Sequence, residues 1–395
     1  MRVERGARIG VVGAGAMGTG IAQIAATSGH PVVVVDTNGA ALARAASGLE
    51  RAIQREIEKG RLDAPAGAAA VARVQWHDGS GPSGLDAFAD CGLVVEAVVE
   101  RLDIKRDLFV RLERVVAADC ILATNTSSLP VAAIAAPCAR PDRVIGVHFF
   151  NPAPVMALVE IIPGLGTAAE VTAHTRALVD GWRKTTVLAT DTPGFIVNRI
   201  ARPFYGEGLR LHDEGIADPA TIDWAMRELG GFRMGPFELM DLIGHDVNFA
   251  VTRSIFEAFF YDPRYKPSIT QQRLVDAGML GRKSGRGFYD YREGAVRPQP
   301  VADRELGAQI VERILVMLIN EAIDAVLWRV ASPADIDVAV TKGVNYPKGL
   351  LAWGDAMGLD RVLTRLTALE QEYGEDRYRP SALLKRMVRE GRSFT

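Results

Sequence analysis

Residues 7–36 read ARIGVVGAGAMGTGIAQIAATSGHPVVVVD, and the order of features in that stretch decides the fold of the first half of the chain. An apolar run ends at Gly13, and Gly13, Gly15 and Gly18 then form G-x-G-x-x-G at the entry to an apolar helix reaching Ser28. A second apolar run, PVVVVD, closes on Asp36. The three glycines alone are a weak signal, since glycine-rich turns serve many loops. Strand, glycine turn, helix, strand and terminal acid within about 30 residues form the dinucleotide-binding fingerprint. The loop Gly13, Ala14, Gly15, Ala16, Met17, Gly18 lets backbone approach a pyrophosphate, and the helix start offers N–H groups and a positive dipole end. Asp36 would accept from an adenine-ribose 2′-hydroxyl and repel a 2′-phosphate. Thr37 and Asn38 follow it with no arginine, so NAD(H) is expected rather than NADP(H).

Further strands and helices continue the pattern. Residues 38–59 read as a long amphipathic helix whose charges are a solvated face, and 65–77 as an ill-defined helix plus strand. GLVVEAVV, residues 92–99, is a buried strand that carries Glu96 inside, with Glu100 at its end; a helix over 104–117 and a strand over 120–124 follow. The polar turn Asn125, Thr126, Ser127, Ser128 then falls at a strand's C-terminal end, where open α/β sheets place ligands. A helix cap is the plain alternative for one of the two serines. Residues 143–163, RVIGVHFFNPAPVMALVEIIP, contain two β-branched apolar runs with one ionisable group in each, His148 and Glu160. A charge-capable group in a buried strand costs several kcal/mol unless it finds a partner. The economical solution is that the turn at Asn151, Pro152 and Pro154 brings the two together, as a catalytic pair or as a structural buried ion pair. A helix over 167–182 follows, and the sheet is expected to close near Val187.

The chain has 395 residues, 48% hydrophobic and 24% charged, which fits a globular protein of two or three domains. A net charge of −2 with dispersed basic residues gives no footprint for nucleic acid or a membrane surface. Cys91, Cys120 and Cys138 lack C-x-x-C spacing and fit a reducing compartment, and the six histidines are scattered, so no metal site is expected. No apolar run is long enough to span a bilayer. The charged N-terminus does not read as a signal peptide, and a cytoplasmic location is expected.

From Asp191 onward the pattern is helical, and the last hundred residues repeat what precedes them. A displacement of 114 aligns residues 199–246 with 313–360 without a gap, pairing Arg199 with Arg313, Glu207 with Glu321, Asp223 with Asp337 and Asp241 with Asp355. After one deletion, RYKPS at 264–268 matches RYRPS at 377–381. The second copy reads as structural, because Glu312 stands where the first has Asn198 and GRKSGRGFY shrinks to REGRSFT. It is expected to pack on the first about a pseudo-twofold axis and bury an apolar face there. A monomer is the favoured state, a homodimer the other, and a tail on a flexible linker the plain alternative.

GAGAMG, VVEAVVE, TNTSSL, HFFNPAPVMALVEI, DTPGFIVNR, MGPFELMDLIG and GRKSGRGFYDY occur in that order over roughly residues 7–290. In this series the chain resembles the L-3-hydroxyacyl-CoA dehydrogenases of fatty-acid β-oxidation. The resemblance implies an α/β Rossmann-type NAD-binding domain over 1–187 and a helical domain of the 6-phosphogluconate-dehydrogenase-like type over 188–295. A degenerate second helical copy would occupy 296–395. It implies that His148 is the catalytic base, that Glu160 orients it, and that Ser127 and Asn198 hydrogen-bond the substrate. Asp36, Glu100, Lys105, Asn125, Asn151 and Lys283 would line the NAD site, and Lys59 would contact the CoA moiety. The serine expected seven residues before Lys59 is Ala52 here, which weakens that contact. NAD-dependent oxidation of a (3S)-3-hydroxyacyl-CoA is the expected activity. A dehydrogenase for a free 3-hydroxy acid or sugar acid is the second possibility. A non-catalytic NAD-binding protein is the third, although it should have lost His148, Glu160, Ser127 or Asn198.

Overall fold

The computed structural model describes residues 6–81 and 83–394, and the chain divides into two compact units, residues 1–192 and 193–395. The first unit is an eight-stranded sheet in the order β3-β2-β1-β4-β5-β6-β7-β8. Its strands are β1 (Ile9–Val12), β2 (Val32–Asp36), β3 (Val74–Asp78), β4 (Leu93–Glu96), β5 (Ile121–Thr124), β6 (Val144–Phe149), β7 (Leu158–Pro163) and β8 (Thr185–Leu188). All neighbours pair parallel except β6 and β7, which run antiparallel. The helices are α1 (Ala16–Thr27), α2 (Gly39–Glu58), α3 (Ala64–Ala72), α4 (Leu102–Val115), α5 (Val131–Ala135) and α6 (Ala169–Gly181).

The near-continuous apolar character of the central strands follows from this arrangement, since a parallel sheet covered on both faces has no wet side. Ile9, Val34, Val95, Ile121, Ile145 and Ile161 are all fully buried in one core. The ill-defined stretch at 65–77 resolves into α3, capped by Asp63 accepting from the Ala66 N–H at 2.7 Å, and β3. β3 lies at the sheet edge and exposes Gln75, His77 and Asp78 to varying degrees, which is why VQWHD lacks the apolar run of its neighbours. Strand order reverses between β1 and β4, and ligands of open α/β sheets bind at such switch points.

The second unit is helical and carries the repeat in its backbone. The first copy comprises α7 (Val197–Ile200), α8 (Arg202–Asp213), α9 (Pro219–Trp224), α10 (Pro236–Ile243), α11 (His245–Ala258) and α12 (Ile269–Asp276). The second comprises α13 (Arg304–Leu327), α14 (Pro333–Gly343), α15 (Leu350–Met357), α16 (Leu359–Tyr373) and α17 (Ala382–Glu390). α9 and α14, α10 and α15, and α11 and α16 begin at residues that the displacement of 114 superposes. α7 and α8 are fused in the second copy into the single helix α13. The same local devices recur. Asp223 accepts from the Phe237 and Glu238 N–H groups at the start of α10, and Asp337 accepts from Leu351 and Ala352 at the start of α15. Asp241 accepts from the Phe288 and Tyr289 N–H groups, while Asp355 accepts from Phe394 in the shortened tail. Thr395, the last residue of that tail, lies outside the described residues.

The two copies meet through reciprocal buried ion pairs. Arg199 donates to Glu321 at 2.6 Å, and its repeat partner Arg313 donates to Glu207 at 3.1 Å. Tyr265 and Arg264 of the first copy also donate to Glu321, at 2.6 and 3.3 Å. Tyr378 and Arg377 of the second donate to Glu207, at 3.1 and 2.6 Å. Each glutamate therefore receives two arginines and a tyrosine from the opposite copy, the self-complementary pattern of a twofold interface. Both glutamates are fully buried. Burial alone would push the Glu321 carboxyl up, but Arg199 and Arg264 more than offset that and hold it below its usual value. Removing one partner of a buried ionic cluster strands the others, at a cost of about 3–5 kcal/mol. Glu207→Gln and Glu321→Gln should therefore destabilise the protein by similar amounts within that range, read as lowered urea midpoints. A loss below about 1 kcal/mol in either would contradict the reciprocity.

Candidate active site

The glycine turn is built by close approach. Gly13 has φ +103°, and a Cβ there would lie 2.6 Å from the Ala97 carbonyl oxygen. A Cβ on Gly18 would lie 1.8 Å from the Gly13 carbonyl oxygen, so only glycine lets α1 start against the turn. Gly15 differs, because a Cβ on it would meet no protein atom, and it borders a cavity of about 690 Å³. That cavity is lined by Val12, Gly13, Asp36, Thr37, Val98 and Leu108 among others. No side chain caps α1, whose first turn contains Ala16, Met17 and Gly18. Asp36 reaches from the end of β2 to accept from the Ala14 N–H at 2.7 Å and the Asn38 N–H at 2.8 Å. An open glycine, an uncapped helix start and a carboxylate on one cavity of ligand size suit the pyrophosphate and adenosine ribose of NAD. Arg111 of α4 also borders the cavity, and Asp107 lies 3.6 Å from its guanidinium. This residue was not legible as a site residue, because only the packing of α4 brings it to β2.

Beyond the switch point a buried polar network organises the ends of β4 and β5. Glu96, fully buried, accepts from Lys105 at 2.6 and 2.8 Å, from Thr124 at 2.7 Å and from the Val98 N–H at 2.7 Å. Lys105 is itself buried and also lies 3.1 Å from Glu100, so it is clamped between two acids under the turn. Glu100 accepts from the Thr126 hydroxyl at 2.6 Å, the N–H groups of Ser127 and Ser128 at 2.9 and 3.1 Å, and the Ser128 hydroxyl at 3.0 Å. Asn125 accepts at its side-chain oxygen from the Phe149 N–H at 2.9 Å, tying the turn to the strand that bears His148. The organising role of Glu96 is the feature missed from sequence. Its signal, an acid inside an apolar strand, is the same signal that singled out Glu160.

His148 and Glu160 are register partners across the antiparallel pair β6 and β7. Nδ1 of the imidazole lies 2.6 Å from the Glu160 carboxylate, with the histidine 5% exposed and the glutamate fully buried. The Phe150 ring stands 4.5 Å from the imidazole. Asn151 is exposed at the start of the following turn. Lys59 is exposed at the C-terminal end of α2, 4.0 Å from Glu56. Asn198 and Lys283 belong to the helical unit. Asn198 sits on α7, half-buried, and its carbonyl accepts from Arg202 at 2.8 Å. Lys283 pairs with Asp246 at 2.5 Å. In the second copy Glu312 occupies the position of Asn198 and forms ion pairs with Arg361 and Arg365.

Fold and cavity define a nucleotide-binding protein of the Rossmann class, with a helical unit following in the chain. Residues 8–192 match the family model for the NAD binding domain of 3-hydroxyacyl-CoA dehydrogenase, and residues 194–291 and 309–394 match its C-terminal domain. The chain is 39% identical to the 3-hydroxyadipyl-CoA dehydrogenase of Escherichia coli, over 95% of this chain and 96% of that one. It is 37% identical to the 3-hydroxybutyryl-CoA dehydrogenase of Bradyrhizobium diazoefficiens, which covers 74% of this chain and 97% of its own length. The crystal structure of a 3-hydroxybutyryl-CoA dehydrogenase from E. coli K12 superposes with a TM-score of 0.90 at 38% identity, covering 97% of this chain and 98% of that one. The chain belongs to the 3-hydroxyacyl-CoA dehydrogenase family and is an NAD-dependent oxidoreductase.

Burial would raise the Glu100 carboxyl, but Lys105 and then hydrogen bonds from Thr126 and Ser127 hold it below the usual value of 4.5 for a glutamate. A carboxyl depressed on folding stabilises the protein above its unfolded value and loses that contribution as pH falls through the folded one. Wild type should therefore be more stable than Glu100→Gln at pH 7, and the gap should close below about pH 4.5. Thermal unfolding of both proteins between pH 3 and pH 8 checks this, and a gap that stays constant across the range would contradict it.

Proposed function

We propose that the protein oxidises a (3S)-3-hydroxyacyl-CoA reversibly to the 3-oxoacyl-CoA, with His148 as general base and Glu160 as the group that orients it. The observation that carries this reading is the 2.6 Å contact between Nδ1 and the Glu160 carboxylate inside an otherwise apolar hairpin. With Glu160 ionised, Nδ1 carries the proton and donates it, so Nε2 is the basic nitrogen. A positioned imidazole suits proton removal from a secondary alcohol, and a placed base contributes roughly 10² to 10⁴ in rate. Glu160 stabilises the imidazolium as it forms, as the carboxylate of a catalytic triad does. Bound NAD supplies the acceptor for the hydride that leaves C3. Gly13 to Gly18 and Asp36 would hold its pyrophosphate and adenosine ribose, with Glu100, Lys105, Asn125, Asn151 and Lys283 assigned to the same site. Lys105 and Asn125 serve it indirectly, through the turn they fix. Ser127 and Asn198 are assigned to hold the substrate, and Lys59 to contact CoA.

The functional division of the chain is 1–187, 188–295 and 296–395, with one active site and a structural second copy. Glu312 in place of Asn198 supports this, as does a relative almost fully matched by 74% of this chain. We assign a monomer whose reciprocal ion pairs stand in for a dimer interface; sedimentation equilibrium should give about 43 kDa, the mass of one 42.6 kDa chain. A stable dimer would overturn that assignment. Three buried, unpaired cysteines fit a cytoplasmic protein, and no helix among the described residues is long and apolar enough to cross a membrane.

With NADH and acetoacetyl-CoA, absorbance at the nicotinamide band should fall, and His148→Gln should reduce the rate at least about 10²-fold while retaining NADH binding. Equal turnover of free acetoacetate would favour the free-acid alternative. Full activity in His148→Gln would overturn the assignment of the base.

A further inference from the structure

Between α6 and β8 lies a lysine that the catalytic reading leaves unused. The Lys184 ammonium donates to the carbonyl oxygens of Ala153 at 2.7 Å, Met156 at 2.8 Å and Pro154 at 3.4 Å. It forms no ion pair with a carboxylate among the described residues, and burial pushes the ammonium down to about 8. A desolvated charge held only by three carbonyls of one turn is an expensive way to satisfy backbone acceptors. A water molecule could serve the same turn without that cost. The turn itself gives the arrangement a use. It joins β6, which bears His148, to β7, which bears Glu160, and it contains Asn151.

The turn also touches the nucleotide-binding helix. A Cβ on Gly20 of α1 would lie 3.0 Å from Pro154 Cδ and 3.1 Å from Ala153 Cβ, so helix and turn are in direct contact. Ala153 is buried between α1 and Lys184. One side of the turn therefore rests on the helix that starts at the glycine loop, and the other is gripped by the lysine.

We propose that Lys184 is a positioning residue for the dehydrogenase reaction, holding the His148–Glu160 hairpin at a set height against the dinucleotide-binding helix. It touches neither substrate nor cofactor. Its ammonium gathers three carbonyls that would otherwise repel one another, and so fixes the approach of the hairpin to α1. This inference rests on the assignment of His148 as base.

The test compares wild type, Lys184→Met and Lys184→Gln, with His148→Gln as reference, in the acetoacetyl-CoA and NADH assay. Native circular dichroism is verified at the assay temperature, and NADH affinity is measured by fluorescence. Misplacing a catalytic group by about 1 Å costs up to roughly 10²-fold in rate, so kcat should fall about ten- to hundred-fold in folded Lys184→Met. The Kd for NADH should change by less than about threefold, because the glycine loop and Asp36 remain in place. Should Lys184→Met fail to fold, Lys184→Gln, which keeps an amide donor on a shorter stem, carries the same expectation. A folded variant with kcat within twofold of wild type, beside an inactive His148→Gln, overturns the role of Lys184 alone. Activity retained in His148→Gln overturns the underlying assignment instead.

Discussion

A carboxyl group inside an apolar sheet needs a donor beside it, and this constraint recurs in both units of the chain. Glu160 meets it with His148, its register partner across β6 and β7. Glu96, in the strand next to β1, meets it with Lys105, Thr124 and a backbone N–H. The first solution places an imidazole against a buried carboxylate at the end of a strand. The second pins the polar turn that follows β5. Because Asn125 of that turn holds the Phe149 N–H, the two solutions are mechanically joined. Burial makes each pair costly to break, and that cost is what holds the site to one geometry.

The helical unit applies the same rule to a different end. Glu207 and Glu321 are buried without any reactive partner, and each is surrounded by two arginines and a tyrosine from the opposite copy. A duplicated segment that buries its own charges against the other copy makes the two copies mutually dependent, as subunits of a twofold dimer are. The loss of Asn198 from the second copy, and the surface ion pairs of Glu312 in its place, fit a copy kept for packing.

Much of this is legible in the amino-acid sequence. The glycine turn, Asp36 and the apolar strands follow local rules of spacing and hydropathy, so β1, α1 and β2 fall where residues 7–36 predict them. The pairing of His148 with Glu160 follows from an energetic argument with one economical answer. The repeat was visible as a fixed displacement, and the helix starts keep it. Edge strand β3 was obscure because its solvent side carries polar residues, and the place of Lys105 was obscure because a lysine on an amphipathic helix usually points to water. Here it points inward, to two acids 9 and 5 positions before it.

What the amino-acid sequence determined by itself was the Rossmann order of elements, the family, the candidate base and its partner, and the duplication. Each depends on residues close in sequence or on a pattern that repeats along it. Only the tertiary structure decided which arginine meets which glutamate, that Glu96 and Glu100 share one lysine, and that Lys184 grips the turn between His148 and Glu160. Those contacts join residues distant in the chain, and the distance that selects one partner over another exists only after the sheet and the helices have packed.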